Sequence, residues 1–93
     1  MLKIYGYSED VNRCVPCISA KRLLDSKNLP YEFISVASLE NGEVVIDETI
    51  KSEILNNRGL PAGSRITMPQ IFNGAEFIGG FTELREWLRI KNA

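Results

Sequence analysis

Hydrophobic and polar positions change period several times along this chain, and the changes divide it into alternating strand-like and helix-like pieces. Met1 to Tyr7 consists of β-formers and is ended by the turn-rich stretch from Gly6 to Asn12, which predicts a first strand. After Cys14-Val15-Pro16-Cys17 the period becomes helical. Cys17, Ala20 and Leu24 fall on one face with Leu23 beside them, Lys21, Arg22 and Lys27 lie toward water, and Asn28 with Pro30 ends the segment. Tyr31 to Val36 is aromatic and β-branched, a second strand. The short connection through Leu29-Pro30 suits a βαβ unit, so these two strands are expected to be parallel.

Ala37 to Val45 has no clear period, and Glu40-Asn41-Gly42-Glu43 reads as an exposed turn. Asp47 is placed to cap a second helix that buries Ile50, Ile54 and Leu55 and stops at Gly59. Gly59 to Ser64 is loop by composition. Ile71-Phe72 and Phe77-Ile78, on either side of Asn73-Gly74, predict an antiparallel hairpin. Beyond Gly79-Gly80, Phe81, Leu84, Trp87 and Leu88 form the stripe of a last helix, N-capped by Thr82 or a neighbour. Leu23, Leu24, Phe72, Leu84, Trp87 and Leu88 are read as packing. The series β-α-β-α-β-β-α is of the α/β class, and with no repeat or linker to divide it, residues 1–93 are expected to form one domain.

Composition narrows the partners. The 93 residues, 44% of them hydrophobic, suffice for one core. Eleven basic and twelve acidic side chains leave a net charge of -1, without the cationic field that binding to nucleic acid or an anionic membrane uses, so neither is expected as a partner. The first residues carry no signal-peptide pattern, and no apolar run approaches the roughly 18 residues of a membrane span. The expectation is a monomer in a reducing cytoplasm. There, two cysteines three positions apart point to redox chemistry or metal binding before a structural bridge.

Both cysteines lie in Cys14-Val15-Pro16-Cys17, after a predicted strand and at the opening of a predicted helix. Unpaired backbone N–H groups and the positive end of the helix dipole stabilise an anion there, so a thiolate is favoured, and the adjacent Arg13 adds a positive charge. Cys14, at the outer edge, is the candidate nucleophile. Cys17, one turn inside on the face of Ala20 and Leu24, is the candidate resolving thiol. Pro16 preorganises the first turn at no cost in hydrogen bonds. Against this, a structural disulfide closing so short a loop gains only about 2 kcal/mol. A structural zinc site lacks ligands, because the chain has no His and no third Cys, unless two chains share the ion; a cluster shared between two copies has the same requirement. A binding module without turnover is the remaining alternative.

With the dithiol at a strand–helix junction, Thr67-Met68-Pro69 before a hairpin and Gly79-Gly80-Phe81-Thr82 before the last helix, the chain resembles the glutaredoxin family over nearly its whole length. It is most similar to the compact glutaredoxins of T-even-type bacteriophages, in Tyr5-Gly6-Tyr7, Cys14-Val15, Ala20-Lys21-Arg22-Leu23-Leu24, Thr67-Met68-Pro69-Gln70 and Ile78-Gly79-Gly80-Phe81. The resemblance implies a thioredoxin fold, with a central four-stranded mixed sheet flanked by helices, and a thiol–disulfide oxidoreductase that holds no bound cofactor and uses glutathione as cosubstrate. It implies a cis Met68-Pro69 peptide whose main chain faces the dithiol and pairs with an extended substrate. Thr67, Met68, Pro69, Gly80, Phe81 and Thr82 thereby become candidate glutathione contacts, the amides after Gly80 taking the γ-glutamyl carboxylate. Arg13, Arg58 or Arg65 is a candidate for the other carboxylate, and spacing does not choose among them. Tyr7 is either an aromatic wall beside the dithiol or part of the core. The phage likeness further implies disulfide-containing proteins such as ribonucleotide reductase as partners, a thioredoxin-reductase-like flavoprotein as another electron source, and a host cytoplasm as location for a phage-encoded chain.

Two positions depart from the family pattern. Thr82 stands where many glutaredoxins have an Asp that pairs with the glutathione ammonium. Val15-Pro16 puts proline directly before the second cysteine, as thioredoxins do, and this predicts a more reducing protein, toward about -270 mV rather than the roughly -200 to -230 mV of glutaredoxins. Equilibration in thiol/disulfide buffers checks this; a potential within or above the glutaredoxin range would contradict it.

Overall fold

Burial of two apolar faces organises the chain around one sheet. The computed structural model describes residues 1–91. Strand β1 (Leu2–Gly6) lies between β2 (Tyr31–Ser35), to which it is parallel, and β5 (Gln70–Asn73), to which it is antiparallel; β6 (Glu76–Gly79) completes the mixed sheet in the order β2-β1-β5-β6. Alternation along β1 sends Leu2 and Ile4 to one face, where they pack with Ile71 against Ala20 and Leu24 of helix α1 (Val15–Ser26) and Leu84 and Leu88 of helix α3 (Phe81–Lys91). Tyr5 and Phe72 point the other way, onto Val36 and onto Ile54 of helix α2 (Glu48–Arg58). Each fully buried Leu or Ile contributes about 1.5–3 kcal/mol. The sheet is therefore covered on both sides.

The expected order of elements holds with one addition. The segment without a readable period contains a second hairpin, β3 (Ala37–Glu40) and β4 (Glu43–Ile46), which forms its own two-stranded sheet. Asn41 and Gly42 both have positive φ, 55° and 79°, the conformation that Asn-Gly supplies in tight hairpins. The excursion starts and ends at one point, because Val36 donates its N–H to Gly6 and accepts from Asp47 through its carbonyl, at 2.9 and 2.8 Å. Leu39, Val44 and Val45 stay exposed, so no buried face marks the strands in the sequence.

Helix ends follow the capping chemistry read from the sequence. Asn28 (φ 55°) and Gly59 (φ 69°) take the left-handed conformation after α1 and α2, and the Leu29 and Leu60 N–H groups close back on Leu24 and Leu55. On α2, Ile54 and Leu55 are buried as expected, whereas Ile50, in its first turn, is only half-buried. At the start of α2, Asp47 Oδ1 accepts from the N–H groups of Thr49 and Ile50 at 3.0 and 3.1 Å. Asp47→Ala is expected to lower stability by about 1 kcal/mol in urea denaturation without changing the sheet; an unchanged midpoint would show that the cap contributes nothing.

Candidate active site

Helix α1 begins at the cysteine pair. Cys14 is its N-cap residue, in extended conformation, and its Sγ accepts the Cys17 N–H at 3.3 Å. Pro16 occupies the first turn, where its missing N–H has no partner to lose, and no acidic side chain lies there to oppose a thiolate. Cys14 and Cys17 are joined in a disulfide with their Cα atoms 5.2 Å apart. Burial separates the two: Cys14 is half-buried, whereas Cys17 is 0% exposed.

Two loops close on this helix end. The Met68-Pro69 peptide is cis, and the Met68 carbonyl oxygen stands 4.0 Å from Cys14 Sγ. Pro69 is buried, Met68 half-buried and Thr67 exposed. A Cβ placed on Gly80 would lie 3.7 Å from the Pro69 carbonyl, so the start of α3 adjoins the same loop. Cys14 thus adjoins the Met68-Pro69 loop, and that loop adjoins Gly80.

The remaining candidates divide. Tyr7 packs against the Tyr5 and Phe72 cluster, as its core reading expects, and also lines a cavity of about 270 Å³ with Ile46, Lys51, Arg65, Ile66 and Met68. Arg65 is therefore the arginine that opens onto the cavity beside Met68. Arg58 turns inward instead, donating to Gln70 Oε1 at 3.2 Å with its guanidinium 4.0 Å from the Phe77 ring centroid. Arg13 is exposed. Phe81 packs on the core shared by α1 and α3.

Thr82 is not the cap of α3. The helix starts one residue earlier, Thr82 sits exposed in its first turn, and Gly80 is the neighbour that takes the capping place, accepting the Leu84 N–H at 2.9 Å. Glu83 Oε1 accepts from the Gly80 N–H at 2.8 Å. A carboxylate three residues beyond a cap is the usual reach for such a bond, a signal present in the sequence. It brings to the α3 N-terminus the negative charge that Thr82 lacks.

Gly6 was also missed. A Cβ on Gly6 would come within 2.8 Å of Cys17 Sγ and 3.3 Å of the Phe33 ring. Alternation places Gly6 on the same face as Leu2 and Ile4, toward α1, and the absent side chain is what lets Cys17 seat against the strand. No sequence pattern announces a glycine needed for a tertiary contact.

Comparison with known proteins agrees with this geometry. A family model described as Glutaredoxin matches residues 2–78. Over 90 residues the chain is 41% identical to the glutaredoxin of Enterobacteria phage T4, covering 96% of this chain and 100% of that protein. Among solved structures, glutaredoxin 1 from Francisella tularensis complexed with cacodylate is similar with a TM-score of 0.62 at 28% identity, over 99% of this chain and 96% of that one. A buckwheat glutaredoxin–glutathione complex has a TM-score of 0.67 at 23% identity, over 97% and 69%, a likeness of fold. The mixed four-stranded sheet with three helices is the thioredoxin fold.

The tight seat of Cys17 carries a prediction. Gly6→Ala is expected to destabilise the oxidised protein by about 1–3 kcal/mol, because strand or helix must shift to accept the methyl group. Urea denaturation checks it, and a loss below about 0.5 kcal/mol would mean that the contact is loose.

Proposed function

Because the chain belongs to the glutaredoxin family and is a thiol–disulfide oxidoreductase with its Cys14–Cys17 pair at the start of α1, we propose that it reduces glutathione mixed disulfides and protein disulfides, with Cys14 attacking and Cys17 resolving. The observation that carries this assignment is the asymmetry of the pair. Cys14 is half-buried, with its Sγ accepting the Cys17 amide and 4.0 Å from the Met68 carbonyl, while Cys17 has no exposed surface.

In the reduced protein the Cys14 thiolate attacks one sulfur of the substrate disulfide. A Cys14–substrate S–S bond forms, the substrate S–S bond breaks, and the departing thiolate takes a proton. Cys17 then gives up its proton and attacks Cys14 Sγ, which forms the intramolecular disulfide and releases the second substrate thiol. Two electrons have passed from the dithiol to the substrate. Glutathione restores the pair by the reverse sequence: one molecule attacks Cys14 Sγ and frees Cys17, and a second leaves with the first as glutathione disulfide.

Glutathione as cosubstrate is supported by the surface around Cys14. The Met68 main chain lies beside the sulfur for pairing with the cysteinyl part. Arg65 and Lys51, in the cavity shared with Tyr7 and Met68, offer cations to the glycyl carboxylate. Amides of the α3 start behind Gly80 suit the γ-glutamyl carboxylate, and the Glu83 carboxylate suits the ammonium beside it. Phe81 and Thr82 contribute main chain to this end. The buckwheat protein whose structure contains glutathione shares the fold. Ribonucleotide reductase in the cytoplasm of a host cell is a protein substrate consistent with likeness to the phage protein.

Cys17→Ser is expected to accumulate a Cys14 mixed disulfide with glutathione, visible in the intact mass, while Cys14→Ser loses at least about a hundredfold in disulfide reductase activity. Full activity of Cys14→Ser, or no adduct on Cys17→Ser, would overturn the assignment of roles.

A further inference from the structure

Among the described residues Gln70 is the one buried polar residue, 3% exposed, and both ends of its amide are used. Its Nε2 donates to the Thr67 carbonyl at 2.6 Å, and its Oε1 accepts from Arg58 at 3.2 Å. Register explains how it comes to be there. Gln70 opposes Tyr5 across the β1–β5 ladder, so it faces α2, and Arg58 is the last residue of that helix. The guanidinium is itself held over the Phe77 ring at 4.0 Å. An amide whose acceptor and donor ends are both engaged cannot turn over without breaking two bonds.

The Thr67 carbonyl and the Met68 N–H belong to one planar peptide unit and point in opposite directions when that unit is trans, as it is here. Drawing the carbonyl inward onto Gln70 therefore turns the Met68 N–H outward. That N–H has no acceptor among the described residues, and the carbonyl of the same half-buried residue stands 4.0 Å from Cys14 Sγ. A buried donor is aimed at a carbonyl of the loop, and the loop's own donor is left without a partner among the described residues, in the residue whose carbonyl adjoins Cys14 Sγ.

We propose that Gln70, locked by Arg58, is a positioning residue that fixes the Thr67–Met68 peptide plane so that the Met68 N–H is presented to the main chain of a peptide or glutathionyl disulfide substrate. This rests on the reading of Met68 as a main-chain docking site given above. Gln70 touches neither substrate nor sulfur, and its effect is confined to substrates that offer a backbone carbonyl. Small reagents that react at Cys14 without pairing to the main chain do not depend on it.

Two variants separate this role from mere support of the core. Gln70→Glu keeps the size and an acceptor for Arg58 but replaces the donor to Thr67 by an oxygen, and Gln70→Met removes both partners at similar volume. For a glutathionylated peptide, KM is expected to rise about three- to tenfold in both, the worth of one main-chain hydrogen bond, with kcat little changed. The rate of iodoacetamide alkylation of the reduced protein, which needs no backbone pairing, stays within twofold of the parent. Unchanged KM in both variants, or an alkylation rate that falls in parallel with kcat/KM, would overturn the proposal.

A second readout does not depend on turnover. The Met68 amide order parameter, measured by NMR on the oxidised full chain, is expected to drop in Gln70→Glu while those of β1 and β5 hold. A Met68 amide as ordered as in the parent would overturn the positioning role. Failure of the parent protein to turn over the glutathionylated peptide, with the Met68 amide responding as expected, counts against the proposed function alone.

Discussion

The bond from the Cys17 amide to Cys14 Sγ joins the fold to the chemistry. A helix must start somewhere, and its first amides have no partners inside the helix. By starting α1 at a cysteine, the chain spends one of these donors on a sulfur, the atom that has to carry negative charge during exchange. The rest of the architecture keeps that helix end in place. Ala20 and Leu24 anchor α1 to the sheet, and Gly6 lets Cys17 come against β1. Burial then makes the two cysteines unequal, Cys14 half-buried and Cys17 without exposed surface, which is the basis of the roles proposed for them.

Two chain segments distant from Cys14 in sequence meet beside it, the loop before β5 at the sulfur and the start of α3 against that loop. The Met68 carbonyl approaches from the loop before β5, and Gly80 brings the α3 N-terminus to Pro69. In the function proposed above, such a surface pairs with the backbone and charged ends of a substrate and tolerates variety in its side chains. Thr82 brings no charge to this helix end, but Glu83 does, with its carboxylate on the Gly80 N–H. Pro16 sits in the first turn of α1, in sequence between the two cysteines and away from the Met68 and Gly80 segments.

Elements with a buried face were legible in the sequence. Cys17, Ala20 and Leu24 on α1, the Asp47 cap and Gly59 stop of α2, and the antiparallel β5–β6 hairpin all follow local chemistry. The turn of that hairpin lies at Gly74-Ala75, one residue beyond the Asn73-Gly74 expected, with Asn73 paired to Glu76 in the ladder. The β3–β4 hairpin was not legible as strands, although Asn41-Gly42 marks its turn, because Leu39, Val44 and Val45 are exposed and leave no alternation of buried and open positions. Within the site, the cysteines were found by spacing and the Met68-Pro69 loop by resemblance. Gly6, Lys51 and Gln70 were not found. What they do depends on which residue lies across the sheet or across a cavity, and a single sequence holds no record of those distances. The same limit applied to the three arginines, which separate only when Arg58 is seen bound to Gln70 and Arg65 lining the cavity.

The central claim is that the start of α1 makes Cys14, and not Cys17, the reacting thiolate. Its most direct test is the pH dependence of iodoacetamide alkylation of the fully reduced protein, followed residue by residue by mass spectrometry. The account predicts that Cys14 is modified first, with an inflection well below the roughly 8.5 of a free thiol, while Cys17 stays unmodified on that time scale. Equal modification of both cysteines, or a Cys14 inflection at the free-thiol value, would contradict it.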